Sequence, residues 1–407
     1  MKRFITLCLV GNCLFAFGQK ITVDNLEDHI EYLASDKLEG RAPGTKGEQL
    51  AIEYISKQFK KIGLKPAGTD GFRQTFDYKI SNNPKDSTAV KNKEMKGTNV
   101  AGFLDNGAVN TIVIGAHFDH LGNGHHSSAL DTTLGVHNGA DDNASGTAGV
   151  IELAQYFAKN NQKERNNFLF LCFSAEEDGL VGSKHFTQMP TIALDKINYM
   201  VNMDMIGRFD NTTKKLLVYG VGTSAGFSGL FPKGDPEFEY VLDSSGIGPT
   251  DHTSFYLKNI PVLSFFTGQH SDYHKTTDDV EKINFTGEQK ILEKIAATIE
   301  RLDQQDKLVF AATKQKATQG RSKYKVSMGI MPDYTSTEKG LRVDGVSDGN
   351  PAQVAGIEAG DVIVEMGGVP VGDIYEYMTE LGKLNKGDQI EVKVLRDGQP
   401  KVFKLKF

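Results

Sequence analysis

Thr111-Ile-Val-Ile-Gly-Ala-His-Phe-Asp119 runs from an apolar stretch straight into a histidine and an aspartate. A short apolar run rich in β-branched residues reads as a buried strand. The same arrangement recurs down the chain. Apolar runs at 168–174, 199–203, 215–219 and 260–266 predict further strands. Glu176 and Glu177 follow the first of these, Asp204 ends the second, and His274 follows the last by a short loop. Asp141 and Asp142 stand in Gly139-Ala-Asp-Asp-Asn-Ala-Ser-Gly146, just before a helical pattern that begins near Ser145 and runs to Lys159. Asp141 reads as a cap of that helix. Two earlier apolar stripes predict helices over 24–35 (Leu26, Ile30, Leu33) and 46–62 (Leu50, Tyr54, Ile55, Phe59, Ile62), and a later one closes the unit over 286–302. Strands alternating with helices predict an α/β fold, a central sheet flanked by helices on both faces. Ligands bind such sheets at the C-terminal strand ends, where these His, Asp and Glu residues fall.

Carboxylates gathered on one rim repel unless a cation neutralises them. Two histidines with several carboxylates suit Zn²⁺ or another first-row divalent ion. The set exceeds one tetrahedral site and fits two ions sharing a carboxylate.

Composition sets the frame. The chain has 407 residues, 39% hydrophobic and 24% charged, enough for two globular domains. A net charge of −6 without a long basic block speaks against a nucleic-acid partner. Lys2 and Arg3, the apolar stretch from Phe4 to Phe17 and the small residues of Ala16-Phe17-Gly18 read as a signal peptide over 1–18. That stretch is too short for a membrane span, so the mature chain is expected to have none and to be periplasmic or secreted. Of three cysteines, Cys172 alone lies beyond the signal, in an apolar run that gives it a packing role.

Five segments carry a resemblance. Gly115-Ala-His-Phe-Asp119, Gly139–Gly146, Ser174-Ala-Glu-Glu-Asp-Gly-Leu-Val-Gly-Ser183, Asn202-Met-Asp-Met-Ile-Gly207 and Ser271-Asp-Tyr-His274 resemble, in order, the bacterial two-zinc aminopeptidase family. Aminopeptidase S, aminopeptidase Y and the glutamate carboxypeptidases belong to that group. The resemblance spans about residues 24–302 and implies a zinc exopeptidase fold with a mixed central sheet. It implies that Asp142 bridges two Zn²⁺ ions, that His117 and Asp204 complete one and that Glu177 and His274 complete the other. Glu176 would be the general base, and Asp119 would orient the His117 imidazole. Tyr256 or Tyr273 is a candidate hydrogen-bond donor to the oxyanion. His252 is expected either to line the pocket or to satisfy a local hydrogen bond. His125 and His126 read as solvated, and His29, His120, His137, His185 and His270 as structural.

Residues 81–97 are polar and Lys-rich and read as an exposed excursion, and residues 303–325 are polar and read as a linker after a peptidase domain over 19–302. Residues 326–407 resemble a PDZ domain, a small β-rich unit. Met328-Gly329-Ile330 resembles its carboxylate-binding loop, which would receive a peptide C-terminus, and Tyr375–Leu384 the helix beside the groove. The preferred reading is an exported metal-dependent aminopeptidase acting on peptides. A glutaminyl cyclase, a carboxypeptidase or dipeptidase and a non-catalytic peptide-binding protein are the alternatives. The cyclases use one zinc and a tryptophan near the site, and this chain has no Trp.

Overall fold

A computed structural model describes residues 20–80, 93–124, 128–131, 134–313, 326–332, 339–346 and 350–407. The expected signal peptide, His125 and His126 lie outside the described residues. The first unit opens with α1 (Val23–Leu33) and α2 (Lys46–Ile62). Strands β1 (Lys65–Pro66), β2 (Arg73–Ile80), β3 (Lys93–Leu104) and β4 (Thr111–His117) follow, then a short pair, β5 (Gly122–Asn123) and β6 (Val136–His137). Next come α3 (Gly146–Lys159), β7 (Asn167–Phe173), α4 (Val181–Gln188), β8 (Ile197–Met203), β9 (Lys215–Tyr219), β10 (Glu239–Leu242), α5 (His252–Tyr256), β11 (Val262–Phe266) and α6 (Phe285–Asp303). Local chemistry sets the ends of α2: the Thr45 side chain accepts from the Glu48 amide, and Gly63 takes the left-handed conformation that closes the helix.

The sheet runs β1-β3-β7-β4-β8-β11-β9-β10, with β2 paired to β3. Its centre is parallel, β7 with β4, β4 with β8 and β8 with β11. Antiparallel pairs join β3 to β7 and β9 to β11, which makes the sheet mixed. Strands β4, β7 and β8 are buried along their whole length. Side chains alternate between two cores. Ile112, Ile114, Phe168, Phe170 and Cys172 join the core that includes residues of α1, α2, α3 and α6. Val113, Leu169, Leu171 and Phe173 join the core with Phe186 of α4 and Phe255 of α5. Each fully buried side chain of this kind contributes roughly 1.5–3 kcal/mol. A frame buried on both faces leaves its polar residues to the strand tips.

Two expectations need correction. Residues 81–97 read as a polar excursion, but 93–97 begin strand β3, in which Glu94 and Lys96 are exposed. Cross-strand pairs Lys79–Glu94 and Lys96–Asp77, at 3.3 and 3.7 Å, explain why a charged segment is a strand here. The linker expected from 303 also begins later. Residues 307–313 return to the first unit as a strap without regular structure. Leu308 is buried in its core, the Leu308 amide donates to Asn198 Oδ1 at 2.8 Å, and Phe310 packs on Tyr256.

The C-terminal unit has its own core, including Met328, Val343, Ile363, Tyr377 and Val394. It contains β12 (Ile330–Pro332), β13 (Leu341–Val346), α7 (Pro351–Ala355), β14 (Val362–Met366), β15 (Val369–Pro370), α8 (Ile374–Leu381), β16 (Gln389–Arg396) and β17 (Gln399–Lys406). Helix α8 ends three residues before the expected Leu384 and starts at Ile374 because Asp373 caps it, accepting from the Glu376 amide at 2.9 Å. Among the described residues no helix is long and apolar enough to cross a membrane.

Candidate metal centre

The tips of β4, β7, β8 and β11 and the turn before α3 converge on a cavity of about 280 Å³, lined by His117, Asp142, Glu176, Glu177, Asp204 and His274 among others. Sharp backbone turns make this possible. Ala175, Met205 and His274, each beside a site residue or one itself, have φ of 58°, 53° and 54°. Left-handed conformations at non-glycine residues cost of order 1–3 kcal/mol each and cluster where function demands them.

Asp142 is central. Its Oδ1 lies 3.4 Å from His117 Nε2, which is also 3.4 Å from Asp204 Oδ1. Its Oδ2 lies 3.2 Å from His274 Nε2, which is 3.3 Å from Glu177 Oε2. Ligands of a tetrahedral ion with bonds near 2.0–2.1 Å stand about 3.3 Å apart. The spacing of these donors around Asp142 therefore suits a divalent metal ion. His274 Nδ1 donates to the Ser128 carbonyl at 2.9 Å, which fixes the ring with Nε2 toward the cavity.

His120, expected to be structural, lies at the site. It is fully buried, and its Nδ1 lies 3.0 Å from Glu177 Oε1 and 3.8 Å from Asp142 Oδ2. His120, Asp142 and Glu177 lie close enough together to hold a metal ion, as do His117, Asp142 and Asp204. The spacing His117-Phe-Asp-His120 was the available signal.

Asp119 stands beside His117, but its main-chain carbonyl is nearer to Nδ1, at 3.2 Å, than its carboxylate, at 3.7 Å. The carboxylate accepts from the Glu176 and Glu177 amides at 3.1 and 3.3 Å. Asp119 thus orients His117 mainly through its backbone and fixes the Glu176–Glu177 turn through its side chain. Asp141 is not the helix cap expected. Its carboxylate accepts from the Gly207 amide at 2.7 Å and lies 3.1 Å from His270 Nε2, tying the turn before α3 to the segment after Asp204. Asp278 supports the same turn, accepting from the Asp141 and Asp142 amides at 3.0 Å each.

Electrostatics separate the two glutamates. Burial pushes the Glu176 carboxyl well above its usual range, and Glu177, Asp251 and Asp204 add to the shift against His117. Glu177 is held low despite its burial, because the His274 imidazole faces it and His120 and His274 both hydrogen-bond it. His252 is fully buried beneath the cavity wall, stacked on Tyr219, and burial pushes its imidazole down to about 3, so it is neutral. Of the two tyrosines, Tyr273 lines the cavity with its ring stacked 3.8 Å from that of His274. Tyr256 does not serve the site. Its hydroxyl accepts from the Thr313 amide at 3.0 Å and pairs with Thr313 Oγ1 at 2.9 Å.

In the C-terminal unit, Met328 is buried in the core, and the Gly329 amide already donates to Ser327 Oγ at 3.1 Å.

Residues 99–299 match peptidase family M28, and residues 326–407 match the PDZ domain. Leucine aminopeptidase 2 of Trichophyton rubrum is 30% identical over 180 residues, covering 41% of this chain and 34% of that protein. The chain spans about a third of the length of such relatives. Among solved structures, a Zn-dependent exopeptidase from Parabacteroides distasonis aligns with a TM-score of 0.55 at 16% identity, over 69% of this chain and 99% of that one. A glutaminyl cyclase from Bacteroides thetaiotaomicron aligns with a TM-score of 0.53 at 16% identity, over 71% and 100%. These likenesses show the fold.

Proposed function

We propose that this chain, which carries a peptidase family M28 domain ahead of a PDZ domain, is a metal-dependent aminopeptidase that hydrolyses N-terminal residues from peptides. One observation carries the reading: the two oxygens of Asp142 face two separate histidine–carboxylate sets. His117 and Asp204 would hold one divalent ion and His274 and Glu177 the other, zinc being the ion their donors suit best. Bound there, two such ions supply Lewis acidity, lowering the pKa of water toward neutrality and polarising the scissile carbonyl.

The chain's own residues do the rest. Glu176 faces the cavity and is the base that takes a proton from the attacking water. As the water oxygen bonds to the carbonyl carbon and the C–N bond breaks, Glu176 returns that proton to the leaving amine. Asp119 keeps Glu176 at this position through its backbone amide. Tyr273, which lines the cavity, would donate to the oxyanion. Removal from the N-terminal end rests on relatives named as aminopeptidases. The reading includes export, from Lys2, Arg3 and the apolar stretch behind them. It also includes docking of a peptide C-terminus at Met328-Gly329-Ile330.

The test uses purified protein, aminoacyl reporters, and free and acetylated peptides. Activity on free amino termini, its loss with a chelator and its return with zinc are expected. Equal turnover of acetylated peptides would replace the aminopeptidase with a carboxypeptidase or endopeptidase. Release of ammonia from N-terminal glutamine without peptide cleavage would replace it with a glutaminyl cyclase. Full activity in metal-free protein would end the metal reading.

A further inference from the structure

The loop Leu38-Glu-Gly-Arg-Ala-Pro-Gly-Thr45 supplies no metal ligand, yet it places a fully buried arginine behind the site. Arg41 uses its donors on main-chain carbonyls. Nε donates to Phe118 O at 2.7 Å, Nη1 to Leu33 O and Asn138 O at 2.5 and 2.6 Å, and Nη2 to Gly139 O at 3.0 Å. Among the described residues no carboxylate forms an ion pair with it. Burying a guanidinium without such a partner is unfavourable. Burial lowers its pKa to about 10, against the fields of Asp119, Asp142, Asp278 and Glu177, and it stays positive at neutral pH.

The carbonyls it joins are specific. Phe118 lies between His117 and Asp119, and Asn138 and Gly139 lie just before the turn that carries Asp142. The loop is shaped to deliver this one side chain. Glu39, Gly40 and Arg41 all have left-handed φ, at 48°, 69° and 54°. A Cβ on Gly40 would stand 2.5 Å from His137 O and 2.6 Å from Gly122 O, so only glycine lets the loop press against those two segments.

We propose that Arg41 is a positioning residue of the metal centre: its rigid fork holds the Phe118 and Asn138–Gly139 carbonyls at fixed spacing, so that His117 and Asp142 meet at one ion. Its permanent charge lies within the field of four carboxylates and offsets part of their mutual repulsion. The inference rests on the reading of this cluster as a metal site. A planar guanidinium presents five donors in one fixed geometry, whereas a lysine ammonium is a point. Arg41→Lys therefore keeps the charge and loses the spacing, and Arg41→Met loses both.

The test is made on the full chain. Zinc affinity is measured by competition with a coloured chelator, and melting temperature is measured zinc-free and zinc-loaded. Both variants are expected to bind zinc about 10–100-fold more weakly, the range typical of groups that orient metal ligands. The rise in melting temperature on adding zinc should shrink in step. An unchanged zinc affinity, with zinc-free and zinc-loaded forms melting lower by the same amount, would reduce Arg41 to a packing residue and overturn the proposal. If Arg41→Met does not fold, Arg41→Lys decides. Failure of wild-type protein to bind zinc would end the metal reading and this inference with it, an outcome distinct from any seen only in the variants.

Discussion

Glu176 and Glu177 are neighbours in the chain with opposite electrical environments. Burial raises the first carboxyl, while the field of His274 and hydrogen bonds with His120 and His274 hold the second low. Adjacent acids pushed apart in this way mark separate tasks for each. Glu176→Gln is expected to keep metal content and lose turnover by about 10²–10⁴-fold. Glu177→Gln should lose affinity for one metal. Metal analysis beside kinetics checks the pair; equal metal loss with unimpaired turnover in Glu176→Gln would reverse the assignment. These residues were legible because each follows an apolar run whose period ends at it. His120 was not, since a histidine in that position is indistinguishable in sequence from one that fills a core. Arg41 was not either: a Gly/Pro-rich loop reads as surface, and nothing in its composition shows that its one cation points inward.

Tyr256 shows what elements add. Placed after the Thr250-Asp-His-Thr253 segment, it was a reasonable oxyanion donor on sequence alone. Helix α5 turns it away from the cavity, and the strap over residues 307–313 occupies its hydroxyl. Tyr256→Phe should therefore leave turnover of small peptides unchanged and cost about 0.5–1.5 kcal/mol of stability for the lost hydrogen bonds. Loss of an oxyanion donor would instead lower turnover roughly 10²–10³-fold. Tyr273→Phe is the matching comparison, and steady-state kinetics with thermal melts separate the two. The helix and strand cores were readable from period alone, with ends shifted by a few residues. The strap was not, because one buried leucine and one aromatic within a polar stretch carry no period.

Across the whole molecule, the boundary of the catalytic unit falls after Thr313. A chain ending at Thr313 keeps Leu308 in the core and Thr313 on Tyr256; one ending at Leu302 loses both. The longer truncate should fold, bind zinc and cleave small peptides like the full chain, with any loss confined to longer substrates that would dock on the PDZ domain. The shorter one should melt at lower temperature, as expected when a buried leucine worth roughly 1.5–3 kcal/mol is removed. Identical melts for both truncates would show the strap to be incidental. The central strands carry a different lesson. Strands β4, β7 and β8 are buried along every residue and open to the cavity only at their tips. Within them only apolar exchanges of similar volume keep the packing, whereas a residue just past a tip that faces the cavity, such as Asp204, bears on what the cavity holds. Heritable novelty in such a scaffold is thus channelled to its rim, where single exchanges can redirect the chemistry while descendants keep the frame.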